Sequence, residues 1–182
     1  MKGVVINLSL FKFGWLAVVL SAGAGLAEVG AATVAIIALV HLVRAHRISN
    51  ELALLLVAGL IGLAWETLLV QTGVLSYPTS AANAAVAPYW IVAMWVLFAT
   101  TLNVGMKWLH KNLAITALAG AICGPLSFVA GQKAGAVVLA ENSILVLGLG
   151  WAVLLPAVTL IARALDGYND ARLATARAGG SA

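Results

Sequence analysis

One carboxylate stands inside a long apolar stretch of the sequence: Glu66, within residues 59–73. An ionisable group at membrane depth is costly and by default indicates a function. Burial away from water favours the protonated form of a carboxyl group, which can then act as an acid. Glu66 is therefore the candidate catalytic residue. The alternative is a structural role, in which Glu66 is hydrogen-bonded or paired with Lys133 on another helix.

Six side chains are candidate substrate-binding residues around this acid. Aromatic rings among them would shape a pocket for a hydrophobic or cationic intermediate, and the amide and ammonium groups would orient the acid or the substrate. Aromatic residues at a helix mouth more often form the interfacial belt of a membrane protein. The belt is the favoured interpretation for Tyr77, Tyr89 and Trp90. The six candidates are Trp65, Gln71, Tyr89, Trp90, Gln132 and Lys133.

Other patterns that carry chemistry are absent from the sequence. No glycine-rich phosphate loop follows a strand, and neither a Ser-His-Asp set nor a His-rich box is present. The one cysteine, Cys123, lies in an apolar run and is expected to be a small buried residue. We therefore expect no metal and no cofactor. His41 and Asn103 are interpreted as structural, and Lys107 is expected to reach the lipid headgroups.

The composition indicates that the solvent of this chain is lipid. Of 182 residues, 63% are hydrophobic and 9% are charged, whereas about 25% are charged in a soluble domain. The net charge of +4 does not indicate a nucleic-acid partner, because the basic residues lie in ones and twos between apolar runs. That spacing is typical of membrane topology. The expected partners are membrane lipids, and a membrane protein partner is left open.

Six apolar helices are predicted, at residues 6–26, 31–45, 49–73, 88–108, 113–131 and 143–165. Residues 28–30 are expected to break the chain, and residues 49–51 to cap the third helix. Gly120 and Gly124 belong to a small-residue seam that lets another helix approach the fifth. Residues 1–166 then form the transmembrane bundle, and residues 167–182 form a short polar cytoplasmic tail.

The distribution of basic residues orients this bundle. With six spans, one side of the membrane receives nine of the ten Lys and Arg residues and the other receives Lys133 alone. The positive-inside rule then places both termini in the cytoplasm and Glu66 in the outer half of the membrane. We predict an all-α, multi-pass protein of a bacterial inner membrane. The nine are Lys2, Lys12, Arg44, Arg47, Lys107, Lys111, Arg163, Arg172 and Arg177.

Two runs of the sequence carry a resemblance: PYWIVAMWVLFATTLN at residues 88–103 and GAICGPLSFVAGQKAGAV at residues 120–137. They are similar to a bacterial inner-membrane family known as domain of unknown function 2878. Members of that family often have an aspartate where this chain has Glu66. The resemblance implies a small polytopic protein, often encoded near lipid-modifying enzymes, and it brings no established reaction.

A shorter stretch resembles another class of membrane protein. Residues 63–66, Leu-Ala-Trp-Glu, followed by Tyr77 and Pro78, are similar to part of the integral-membrane meroterpenoid cyclases. That resemblance implies an acid that protonates an isoprenoid epoxide, although the last helix here lacks the second acid of those cyclases. We therefore expect a small enzyme, or enzyme subunit, that acts on a lipid or isoprenoid with Glu66 as its acid. The alternative is a non-enzymatic carrier or a scaffold for lipid-modifying enzymes.

Overall fold

A computed structural model describes residues 2–78 and 85–169 of the chain. These residues form six α-helices, two strands of two residues each and one 3₁₀ helix at Lys107–Lys111. The predicted all-helical class is confirmed. The helices are α1 (Lys2–Gly23), α2 (Ala27–Val43), α3 (Ile48–Gln71), α4 (Tyr89–Leu102), α5 (Leu113–Lys133) and α6 (Ser143–Ala164), and the strands are β1 (Leu75–Ser76) and β2 (Val138–Leu139).

Four of these helices, α1, α3, α5 and α6, are long and apolar enough to cross a membrane. They indicate a membrane protein. A hydrocarbon core about 30 Å thick needs about 20 helical residues. Helices α2 and α4 have 17 and 14 residues, which correspond to lengths of about 26 and 21 Å. The prediction that all six helices cross the membrane stays a prediction.

Successive helices alternate in direction, so the bundle has two ends. At one end, which we call the strand end, β1 pairs antiparallel with β2, and Leu75 lies opposite Leu139. The other end, which we call the Glu51 end, contains the starts of α1, α3 and α5. There the backbone N–H of Arg47 donates to the carbonyl of Gly167, so the chain after α6 returns to the start of α3.

Three predicted boundaries are wrong. Residues 28–30, the expected break, lie inside α2, which begins at Ala27. Residues 49–51 do not cap α3, because the helix starts at Ile48 and its N-cap residue, Arg47, makes no side-chain cap. Helix α4 ends at Leu102, six residues before the predicted end at 108, and the chain there turns into the 3₁₀ helix.

Small residues set the distances between the helices. A Cβ atom added at Gly62 on α3 would lie 2.2 Å from Cγ of Trp95 on α4. Cβ atoms added at Gly120 and Gly124 on α5 would lie 2.2 and 2.4 Å from atoms of Trp151 on α6. The predicted seam on α5 is therefore confirmed. Gly62 and Gly124 each admit an indole ring, and Gly120 admits the backbone carbonyl of Trp151.

Candidate functional site

The carboxylate of Glu66 is fully buried and receives two hydrogen bonds. The hydroxyl of Tyr77 donates to Oε2 at 2.6 Å, and Nε1 of Trp95 donates to Oε1 at 2.9 Å. These three residues come from α3, the segment after β1 and α4. A carboxylate has about four acceptor positions, so each oxygen of Glu66 can accept one further hydrogen bond.

Packing holds both donors in place. The indole of Trp95 lies against Gly62, one turn before Glu66 on the same helix, where no side chain blocks it. The ring of Tyr77 meets Trp90 edge to face, with centroids 5.1 Å apart. Burial, with the neighbouring Glu66 carboxylate as a smaller cause, holds the pKa of Tyr77 well above its usual value. The Tyr77 hydroxyl therefore stays protonated and remains a donor.

A cavity of about 520 Å³ lies beside this acid, between α1, α4, α5 and α6. Its volume falls in the range of small-molecule sites, about 300–1,000 Å³. The lining is mainly aliphatic and aromatic, and among the described residues its charged members are Glu66 and Lys12. The cavity thus offers an acid to an apolar ligand.

Aromatic rings form the wall of the cavity next to Glu66. The indoles of Trp95 and Trp151 stack with centroids 4.9 Å apart and planes 13° apart. Phe98 meets Trp151 edge to face at 5.7 Å. Because the face of an aromatic ring attracts positive charge, this wall suits a cationic or polarised ligand as well as a neutral hydrocarbon.

Of the three aromatic residues predicted for the site, Trp90 alone lines the cavity with Glu66. Trp65 lies outside the lining and packs against Gly150 on α6. Tyr89 is 58% exposed and also lies outside the lining. The belt interpretation is wrong for Tyr77 and Trp90, which are only 5% and 2% exposed, because they pack against each other within the hydrophobic core.

The polar residues predicted to orient the site lie away from it. Gln71 is exposed and donates to the carbonyl of Ala85 at 3.0 Å. Gln132 and Lys133 are exposed at the end of α5, and none of the three lines the cavity. Glu66 makes no ion pair with Lys133, since its described partners are Tyr77 and Trp95.

Sequence reasoning missed three residues of the site. Local sequence patterns give Trp95 no role, although a buried indole N–H needs an acceptor and Glu66 is an acceptor within an apolar helix. They indicate only a topological role for Lys12. Cys123, expected to be buried, is exposed and lines the cavity.

A protein-family model described as "Protein of unknown function (DUF2878)" matches residues 4–157. The chain belongs to this family. The match includes Glu66, Trp95 and every residue that lines the cavity, and it confirms the resemblance of residues 88–103 and 120–137. The comparisons with curated proteins and with solved structures give no match.

A second buried acid of this DUF2878 protein, Glu51, organises the opposite end of the bundle. Its Oε2 lies 2.8 Å from Nε2 of His41. Its Oε1 accepts hydrogen bonds from Nδ2 of Asn103 and from the backbone N–H of Gly167, each at 2.8 Å. The hydroxyl of Tyr168 donates to the carbonyl of His41. The cluster joins α2, α3, the end of α4 and the segment after α6.

Three sequence predictions concern residues at the Glu51 end. The expectation that Asn103 bonds a neighbouring helix is confirmed, because Glu51 lies on α3. Gly167, which the sequence assigns to the tail, is hydrogen-bonded to the bundle, and residues 170–182 of that tail lie outside the described residues. Lys107, expected to reach headgroups, pairs with Asp166 at 2.6 Å.

Proposed function

We propose that this protein binds a lipid or isoprenoid in the cavity beside Glu66 and, as an enzyme or enzyme subunit, uses the Glu66 carboxyl group as an acid. One observation carries the proposal: a fully buried acid, held by two donors, lines a large apolar cavity. Ionisable residues inside a membrane bundle generally mark a substrate or proton pathway.

The groups around Glu66 are compatible with both its protonated form and the carboxylate that remains after proton transfer. A protonated Glu66 donates its proton to a double bond, epoxide or leaving group of the ligand. The carboxylate that remains is stabilised by the hydroxyl of Tyr77 and the indole N–H of Trp95, because hydrogen bonds to an ionised acceptor are the stronger ones. The indoles of Trp95 and Trp151 line the cavity beside Glu66, and their π-electrons would stabilise positive charge that develops on the ligand.

The topology that we propose has six spans, with both termini on the cytoplasmic side of a bacterial inner membrane. The support is the sequence pattern: apart from Lys12, which lies within α1, eight of the other nine basic residues fall on one side. The Glu51 end is then cytoplasmic, and the strand end with Glu66 lies toward the outside. Helices α2 and α4 are short for a span, and the bilayer accommodates short helices by local thinning.

The hydrogen bonds of Glu66 also favour a second candidate function. They tie α3, α4 and the segment after β1 together, so Glu66 can serve a purely structural purpose. In that case the protein is a non-enzymatic carrier, or a scaffold that partners a lipid-modifying enzyme.

A lipidomic comparison separates these candidates. Cells that lack the protein, cells with Glu66→Gln and cells with Glu141→Gln are compared with the parent strain. Glu141 is an exposed acid outside the cavity, so it is the matched control. We expect one lipid or isoprenoid to accumulate in the deletion and in Glu66→Gln, and not in Glu141→Gln.

Two results contradict the leading proposal. If deletion changes no lipid or isoprenoid, the protein does not act on this class of molecule. If deletion changes the lipid profile while a stably folded Glu66→Gln variant restores it, Glu66 is not the acid, and the scaffold role is supported.

A further inference from the structure

Lys12 lines the same cavity, on α1. At 1.5 Å per residue it lies about 15 Å from the start of this apolar helix. Leu8, Trp15 and Val19 line the cavity with it, and spacings of 4, 3 and 7 residues place them on one helical face. Lys12 is exposed, and within residues 2–78 and 85–169 it has neither a hydrogen bond nor an ion pair.

Within the part of the chain that the structure describes, no acid neutralises this ammonium group. Glu66, the acid of the same cavity, directs its oxygens to Tyr77 and Trp95 and makes no ion pair with Lys12. A cation beside an apolar wall is costly unless an anion or water accompanies it. The remaining lining offers no other charged group among the described residues. A ligand that enters the cavity therefore meets an uncompensated positive charge.

Lys12 and Glu66 lie at different levels of the bundle. On α1, Asn7 bonds Thr100 and Gly105 at the Glu51 end, and Gly14 packs against Leu97. Lys12 therefore lies nearer the Glu51 end than Trp95, which bonds Glu66. Helical side chains lean toward the N-terminus of their helix, which for α1 also means the Glu51 end.

We infer that the ligand is an anionic amphiphile: one apolar chain with a phosphate or carboxylate group that binds Nζ of Lys12. The chain then extends along the cavity toward Glu66. This inference rests on the proposed function and adds the charge of the headgroup and the residue that recognises it. It also directs the acid to the chain of the ligand, away from its anionic end.

The test compares ligands with one chain and different headgroups. The full protein is purified in a neutral detergent, and binding of farnesol, farnesyl phosphate and farnesylamine is followed by quenching of the tryptophans that line the cavity. We expect farnesyl phosphate to bind about tenfold or more tightly than farnesol and more tightly than farnesylamine. Palmitate and hexadecanol repeat the comparison for a carboxylate, which separates the two anionic headgroups.

Two substitutions of Lys12 test whether this residue causes the preference for an anionic headgroup. Lys12→Gln should bring the affinity for farnesyl phosphate down to that for farnesol, whereas Lys12→Arg should keep most of the preference. Lys2→Gln, an exposed lysine of the same helix outside the cavity, is the control and should behave as the unaltered protein.

The outcomes distinguish this inference from the function on which it rests. Equal affinity of the unaltered protein for the neutral and both anionic ligands overturns the headgroup assignment and leaves an apolar binding cavity standing. A preference that survives Lys12→Gln overturns the role of Lys12. If no ligand of either chain binds, both the inference and the proposed cavity function fail. The ligand comparison on the unaltered protein needs no variant to fold.

Discussion

Replacing Gly62 by alanine tests whether Trp95 is held against Glu66 by the absence of a side chain at that position. The added Cβ would lie 2.2, 2.5 and 2.6 Å from Cγ, Cδ1 and Cδ2 of Trp95. Carbon atoms rest about 3.5–4.0 Å apart, so the indole must move by more than 1 Å. Its hydrogen bond to Glu66, 2.9 Å long, cannot survive such a displacement.

Two costs then add. Overpacking of a well-packed core costs about 1–3 kcal/mol, and a buried hydrogen bond that loses one partner costs about another 1–3 kcal/mol. We therefore expect Gly62→Ala to lower the free energy of unfolding by about 2–6 kcal/mol. We also expect the affinity for any ligand of the cavity to fall, because Trp95 is part of its wall.

Gly59→Ala is the matched control, one turn earlier on the same helix. Its added Cβ would lie 3.3 Å from a methyl group of Val96, so a small shift accommodates it, and alanine favours a helix by up to about 1 kcal/mol over glycine. Unfolding is followed in mixed micelles by tryptophan fluorescence. If the two variants are equally stable, the reasoning about Trp95 is refuted.

Three further predictions follow from the same contacts. Tyr77→Phe removes one donor to Glu66 and should cost about 1–3 kcal/mol in unfolding free energy; no measurable loss would contradict that bond. Cys123, exposed in the cavity lining, should react with a maleimide in native protein, and a bound ligand should slow the reaction; equal rates would place the ligand elsewhere. Burial raises the pKa of Tyr168 from 10.0 to about 12, so burial of its neutral hydroxyl stabilises the fold fully below about pH 10. That contribution is lost between about pH 10 and 12, and unfolding of Tyr168→Phe should lack this part of the pH dependence.

Sequence patterns predicted the features that depend on local periodicity. The apolar runs gave the six helices, and the glycines of α5 gave a seam that packs on α6. The partners of Glu66 are a different case, because Tyr77 and Trp95 lie 11 and 29 residues away. Helical periodicity indicates which face a residue occupies, and it carries no information about which distant side chain that face meets.

The burial of Glu51 is a second feature that local sequence patterns cannot predict. An acid in the first turn of a helix is commonly exposed, where it interacts with the helix dipole. The residue is instead completely buried. Its donors, Asn103 and Gly167, are 52 and 116 residues away, beyond the reach of any local signal.

The reach of Glu51 along the chain has a consequence for biosynthesis. A ribosome adds about 5–20 residues per second, so the 116 residues between Glu51 and Gly167 take about 6–23 s to synthesise. Throughout that interval the nascent carboxylate lacks one of its partners. The strand end can close once β2 has emerged, whereas the Glu51 end must wait until α6 and Gly167 have left the ribosome. The hydrogen bonds of Glu51 are therefore completed only at the last stage of synthesis.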